Sequence, residues 1–462
     1  MAEIIEAGVH TMSAEEKYIP PQDTAVLEKL SWFQDQKLGL MMHWAPASQW
    51  GLVESWSVCE TAPWSAQPYD DWSQKEINWT KDLNAYRKEL RDTNKTFNPV
   101  KFAPKKWAKL AKDCGFKYLL FTTKHHDGFC MFDTKQTDYK ITSPDCPFHK
   151  SENADIVKAM YDAFREEGLG ISVYFSKPDW NCPYYWAPEL PNAYSCCANY
   201  DPLERPELWN QFVEYTHNQI RELTTNYGKV DVLWLDGGCV SPHIQNHDIH
   251  LEKLIPEIRS TTQPGLIVAD RTVGGEYENI LTPEQTCPDK PILVPWESCI
   301  TMGKDFSYHY NCNSHLKSPR EIIHMFLDII AKGGNLALNV TPQPDGELPE
   351  GMIAVMNELG DWLKVNGEGV YGTRPVAPYD KRGVKYTQKD GAVYAFALYG
   401  ADYHPMRQIV LELEHPVKSV TCLRTGENMP FTQDGKYIIV DTASLPLYGM
   451  KYADCFKVTF AE

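Results

Sequence analysis

Lys229-Val-Asp-Val-Leu-Trp-Leu-Asp-Gly-Gly238 is a short apolar run that stops at a carboxylate and then breaks on two glycines. Near-continuous apolarity over so few residues fits a strand buried on both faces, the condition of a parallel sheet covered by helices. A second run, Ile292-Leu-Val-Pro-Trp-Glu-Ser298, stops at Glu297 in the same manner. A carboxylate at the rim of a buried sheet is partly desolvated, which tunes its pKa for chemistry. Two of them on neighbouring strands are the equipment of a glycosidase, one as nucleophile and one as proton donor.

Outward from these runs the pattern repeats. Apolar segments recur at Leu38–Trp44, Lys117–Thr123, Gly170–Phe175, Val230–Leu235, Leu266–Asp270, Ile292–Trp296 and Asn335–Val340. Amphipathic stretches lie between them: Trp107–Cys114, Ile156–Phe164, Glu207–Tyr227 and Ile322–Lys332, each followed by a glycine that stops a helix. Such repeats build an open doubly wound sheet or a (β/α)8 barrel. No G-x-G-x-x-G follows the first strand, which disfavours the dinucleotide-binding sheet. The reading is an irregular (β/α)8-like barrel with an eighth strand disguised near Pro46–Leu52.

Beyond Trp362 the period changes. Short alternating runs at Val384–Tyr386, Ala392–Leu398, Gln408–Leu413, Val417–Leu423, Tyr437–Val440 and Phe456–Phe460 have no helical stretch between them. They predict a C-terminal antiparallel β-sandwich. The expected division is a catalytic barrel over residues 1–370 and a sandwich over 371–462.

A net charge of −17 argues against nucleic acid and anionic membrane as partners. No apolar run reaches the length of a membrane span. Half of the 14 tryptophans crowd between Trp32 and Trp79, where aromatic planes suit the C–H faces of sugars or anchor a core. The 13 cysteines contain no C-x-x-C and no zinc-finger spacing, which points to a reducing compartment and no metal. The N-terminus carries no signal-peptide pattern, so a cytoplasmic location is expected. No cofactor motif appears, and none is expected. Oligomeric state leaves no mark.

Functional groups of a parallel barrel gather at the C-terminal ends of its strands. Those ends read His43-Trp44, Lys124-His125-His126-Asp127-Gly128, Tyr174-Phe175-Ser176, Trp234-Leu235-Asp236, Asp270-Arg271, Trp296-Glu297 and Asn339. Imidazoles and a guanidinium around two lone carboxylates suit a neutral polyol. His43, His125 and His126 also invite a metal reading. Adjacent histidines on a strand point to opposite sides, so sugar contacts are preferred. Asp236 could instead start a turn, Arg271 could close a rim salt bridge, and Asp127 reads as a structural cap.

These strand ends resemble those of the α-L-fucosidases of glycoside hydrolase family 29. The resemblance rests on Trp32-Phe33, Gly39, Met42-His-Trp44, Lys124-His-His-Asp-Gly-Phe129, Leu233-Trp-Leu-Asp236 and Trp296-Glu-Ser-Cys299. It continues through Asn339-Val-Thr-Pro342, Gly360-Asp-Trp-Leu363, Asn366-Gly-Glu368 and Val370-Tyr371. It implies a retaining exo-acting enzyme that releases terminal α-L-fucose from fucosylated oligosaccharides or glycans by double displacement. Asp236 matches the nucleophile and Glu297 the acid/base. His43, His125, His126, Tyr174, Trp234 and Arg271 match fucose contacts, and Trp64, with Glu60, falls in a loop that closes over the sugar. Rival readings are an α-L-galactosidase of the same mechanism, a fucose-binding protein without catalysis, and a metal-dependent hydrolase. Aromatic segments at 50–79 and 180–200 raise the expectation of a branched, Lewis-type α-1,3 or α-1,4 acceptor.

Overall fold

The computed structural model describes residues 12–59, 83–190, 195–401 and 407–461. Trp64 and Glu60 lie outside the described residues. Seven parallel strands form the first sheet: β1 (Leu38–Met42), β2 (Tyr118–Lys124), β3 (Gly170–Ser176), β4 (Val232–Asp236), β5 (Ile267–Asp270), β6 (Glu297–Thr301) and β7 (Asn335–Val340). They bond in the order β5-β4-β3-β2-β1-β7-β6, a curled sheet with β5 and β6 at its edges.

Residues 277–285 fill the gap between those edges. Asp270 N donates to Tyr277 O, while Glu297 N donates to Leu281 O and Gln285 N to Cys299 O. Isolated bridges join Leu281 to Trp296 and Glu284 to Cys299. This segment takes the eighth position. Pro46–Trp50, near the expected eighth strand, is a 3₁₀ turn instead. The closing segment escaped notice because it is polar, and because Pro283 has no N–H to give a ladder. Strand β6 is also displaced from the expected Ile292–Trp296 and begins at Glu297.

Helices follow the strands: α3 (Pro104–Asp113), α4 (Ile156–Glu166), α5 (Pro206–Asn226), α6 (Leu251–Thr261), α7 (Pro319–Ala331) and α8 (Glu350–Asn366). Two more, α1 (Thr24–Gln36) and α2 (Leu83–Asp92), lie before and after β1. The boundaries have local causes. Ser318 and Glu321 form a reciprocal capping box at the start of α7, and the Asp155 side chain caps α4.

Alternate strand residues point into the barrel. Met41, Leu120, Tyr174, Trp234, Ala269, Cys299 and Ala337 pack there, and Val26, Leu30 and Phe33 of α1 plug the end where the strands begin. Burying a large side chain contributes about 1.5–3 kcal/mol, so this interior is a solid core and only its far rim is open to chemistry. In the same inward row as Trp234, the next residue up is Asp236.

From Arg374 onward the chain is antiparallel. Strands β8 (Arg374–Lys381), β9 (Val384–Lys389), β10 (Ala392–Leu398), β12 (Val417–Cys422) and β15 (Ala453–Phe460) form one sheet. Strands β11 (Gln408–Glu412), β13 (Phe431–Asp434) and β14 (Tyr437–Asp441) form the other. Their facing residues, among them Tyr386, Ala395, Leu411, Val420, Ile438 and Phe456, make a separate apolar core. Neither β8 nor β13 was expected from sequence. The first carries two prolines and a register shift, and no residue of the second is buried.

Candidate active site

Asp236 ends β4 at the rim, and its carboxylate is only 15% exposed. Gly237 follows with φ +88°, and a Cβ there would lie 2.2 Å from Pro178, so only glycine lets the chain turn away at this point. Oδ2 accepts from Tyr174 Oη at 2.5 Å, and Oδ1 accepts from Arg271 Nη1 at 3.0 Å. His126 Nε2 lies 3.7 Å from Oδ2. Burial pushes this carboxyl upward, but Arg271, His126 and Tyr174 together overcome it and hold it far below the usual carboxylate range. The group is an anion at any working pH, as a nucleophile must be.

Three imidazoles surround it. His43 Nδ1 bonds Asn339 Oδ1 at 2.9 Å, and His125 Nδ1 bonds Ser55 Oγ at 2.7 Å. His126 Nδ1 bonds Ser176 Oγ, whose hydroxyl donates to Pro178 O at 3.0 Å. Burial lowers His43 and His126 to about 4 and holds His125 well below its ordinary value, so all three are neutral at pH 7. Neutral imidazoles both donate and accept, which suits sugar hydroxyls. The expectation that His125 and His126 diverge is corrected: β2 ends at Lys124, the chain turns, and the two rings sit 4.3 Å apart. Lys124 itself points elsewhere, bonding Asp179 at 3.2 Å and Gln219 at 3.0 Å in full burial.

Arg271 joins two carboxylates. Its Nη1 holds Asp236, and its Nη2 pairs with Glu284 on the closing segment. The predicted rim salt bridge therefore exists, and it links the site. One planar fork spans both acids and holds them on the same side of the rim.

Glu297 is corrected. It begins β6, so it lies at the floor of the barrel, accepts a hydrogen bond from Tyr118 Oη and is 1% exposed. Burial raises it to about 7, yet a sugar at the rim is out of its reach. The error came from reading the run Ile292–Trp296 as the strand, which put Glu297 at the wrong end.

Trp234 is corrected as well. At 1% exposure it sits one layer below Asp236, its ring stacked 5.3 Å from Tyr174 and 4.9 Å beneath Arg271. It supports the groups that face the cavity. Tyr174 is itself 1% exposed, and its reach into the site is through its hydroxyl on Asp236.

Residues that the sequence reading overlooked complete the site. Phe306 packs 4.9 Å from the His43 ring and extends the apolar interior upward. Glu54 lies in the cavity wall with His43, Ser55, His125, Asp127 and Ser307. Burial, then the charges of Asp305, Glu284 and Asp236, push the Glu54 carboxyl well above its ordinary value. Neither Glu54, in a turn at φ +35°, nor Glu284, beside Pro283, ends an apolar run.

A barrel with one permanently ionised carboxylate at its open rim, neutral imidazoles and further acids around it defines a glycoside hydrolase. The family model described as Alpha-L-fucosidase matches residues 6–368, and the chain belongs to that family. Among relatives, the tissue alpha-L-fucosidase of Macaca fascicularis is 28% identical over 442 residues, covering 90% of this chain and 85% of that protein. The structure of alpha-L-fucosidase isoenzyme 1 from Paenibacillus thiaminolyticus has a TM-score of 0.77 at 28% identity, covering 95% of this chain and all of that one. A Thermotoga maritima alpha-fucosidase in complex with a mechanism based inhibitor has a TM-score of 0.73 at 25% identity, covering 96% and 100%.

Proposed function

We propose that the chain removes terminal α-L-fucose from fucosylated glycans with retention of configuration, using Asp236 as nucleophile and Glu284 as acid/base. The single observation that carries this pairing is Arg271, whose guanidinium touches both carboxylates. In the first step an Asp236 oxygen attacks the anomeric carbon, the glycosidic C–O bond breaks, and Glu284, in its protonated form, gives its proton to the departing oxygen. In the second, Glu284 takes a proton from water, which attacks the same carbon and frees Asp236. His43, His125 and His126 bond the ring hydroxyls, and Phe306 offers an apolar surface to the C6 methyl group. An α-L-galactoside adds a hydroxyl there, which an apolar wall disfavours only modestly.

Glu54 supports a second reading of the acid, because burial and its acidic neighbours favour the protonated form of its carboxyl. Glu284→Gln and Glu54→Gln separate the two readings. The true acid/base variant loses far more rate on natural glycans than on aryl fucosides with good leaving groups, and azide accelerates it to give a fucosyl azide of retained configuration. If Glu284→Gln loses rate equally on both substrates, the Glu284 assignment falls.

For the acceptor, a branched α-1,3- or α-1,4-linked glycan is the finer proposal. A second cavity lined by Val58, Arg87, Arg91, Tyr139, Trp180 and Trp186 shares Asp127 with the sugar cavity, and offers room for a second residue. A panel of defined oligosaccharides decides it: no preference for branched trisaccharides over linear α-1,2 substrates removes this proposal alone.

A further inference from the structure

Three cysteines outside the fucose site come together, with a histidine hydrogen-bonded to the backbone of one of them, in a way the fucoside chemistry does not use. Cys196 and Cys197 lie in the loop between β3 and α5; Cys239, three residues past Asp236, and His247 lie in the loop between β4 and α6. The three Sγ atoms all lie within 4.8 Å of one another, with Cys196 and Cys197 at 3.9 Å. A disulfide needs about 2.05 Å. Thiolates sharing a tetrahedral zinc at about 2.3 Å per bond stand about 3.8 Å apart.

His247 supplies the second, independent observation. It is fully buried, and its ring stacks 5.0 Å from Trp209. Its Nδ1 is 3.3 Å from Cys239 O, which can only accept, so Nδ1 carries the hydrogen. That leaves Nε2 with a bare lone pair, and this atom is buried without a hydrogen-bond partner. A histidine whose other nitrogen is fixed on a carbonyl is the usual preparation of a metal ligand.

We propose that Cys196, Cys197, Cys239 and His247 form a closed four-ligand site for a thiophilic divalent cation, with zinc as its occupant. Three sulfurs and an imidazole select zinc over calcium or magnesium, which need oxygen. Four protein ligands leave no position for water, so the ion is structural and separate from fucoside hydrolysis.

Its place gives it a purpose. Cys196 O accepts from Trp180 Nε1 at 3.4 Å and Cys197 O accepts from Trp186 Nε1 at 3.0 Å. These indoles stack 5.4 Å apart at 7°, and Trp180 lies 5.0 Å from the His126 ring. The ion therefore ties the β3 loop and its tryptophan pair to the loop that leaves the nucleophile.

The test is metal analysis of the full chain purified without chelator. About one zinc per chain is expected. Cobalt reconstitution is expected to give the thiolate-to-cobalt charge-transfer band of a tetrahedral sulfur site. His247→Ala, which keeps all three thiols, should weaken zinc about tenfold or more in chelator competition. Cys239→Ser should abolish the cobalt–sulfur band, and chelation should lower Tm with recovery on adding zinc. If Cys239→Ser does not fold, the unmutated chain and His247→Ala still decide. Absence of bound metal after reconstitution with zinc or cobalt, equal affinity in His247→Ala, or a disulfide among these cysteines in a non-reducing peptide map would each overturn the site.

Discussion

Glu297 offers a sharp prediction because the same side chain would behave differently as a catalyst and as a buried structural acid. Burial raises its carboxyl from an ordinary 4.5 to about 7. Between those values the unfolded chain ionises this group while the folded chain keeps it protonated. The unfolded state therefore binds fewer protons, and stability falls as pH rises from about 4.5 to about 7. At about 1.4 kcal/mol per pKa unit, the loss is about 3 kcal/mol. Glu297→Gln removes the titration and keeps an oxygen to accept from Tyr118 Oη. Its new amide hydrogens cost about 1–3 kcal/mol if left unpaired, so the absolute stability of the variant says little. The slope is the test. Denaturant unfolding of both proteins across pH 4 to 8 should show the variant gaining about 3 kcal/mol relative to the parent between the two ends. Its kcat on aryl fucosides and on glycans should fall in the same proportion, whatever the leaving group. Parallel stability curves, or a loss confined to poor leaving groups, would refute the placement of Glu297 on the barrel floor.

Other outcomes follow from the rim. Asp236→Gly should lose at least about 10³-fold in kcat, and azide should yield fucosyl azide of inverted configuration; retained product would remove Asp236 as nucleophile. Tyr174→Phe deletes the 2.5 Å hydrogen bond to Asp236, and a bond to a charged group contributes about 1.5–3 kcal/mol. That predicts about a 10- to 100-fold loss in kcat/KM, with the acidic limb of the pH profile moved upward, since the bond helps hold Asp236 ionised. An unchanged limb would mean another group controls it. Arg271→Lys replaces the planar fork with a single point charge and so loses the fixed two-pronged hold on Asp236 and Glu284; kcat should drop even though the charge remains, and full activity would sink the pairing of Asp236 with Glu284.

Much of this protein was legible before any coordinates. Buried parallel strands must be apolar along their whole length, so Leu38–Met42, Tyr118–Lys124 and Val232–Asp236 announced themselves. A side chain just past such a run has to emerge at the rim, which is why His43, His125, His126, Asp236 and Arg271 could be collected from strand ends alone. Sandwich strands such as Tyr437–Asp441 showed through their alternation, one face buried and one wet.

What the chain alone could not reveal is where a strand begins when the residues before it are equally apolar. Ile292–Trp296 has the composition of a strand, but Pro291 and Pro295 withhold two donors, and the ladder starts only at Glu297. One boundary moved an acid from the rim to the floor. Glu284 stayed hidden because the segment closing the barrel is held by bonds to both neighbouring strands and needs no apolar pattern of its own. Cys196, Cys197, Cys239 and His247 escaped for a related reason: two loops each contribute two of them, and loop spacing carries no signal until the sheet sets β3 beside β4. Local sequence determined which elements form. Closure of the sheet determined which carboxylates and thiols meet, because those encounters depend on pairing between strands far apart along the chain.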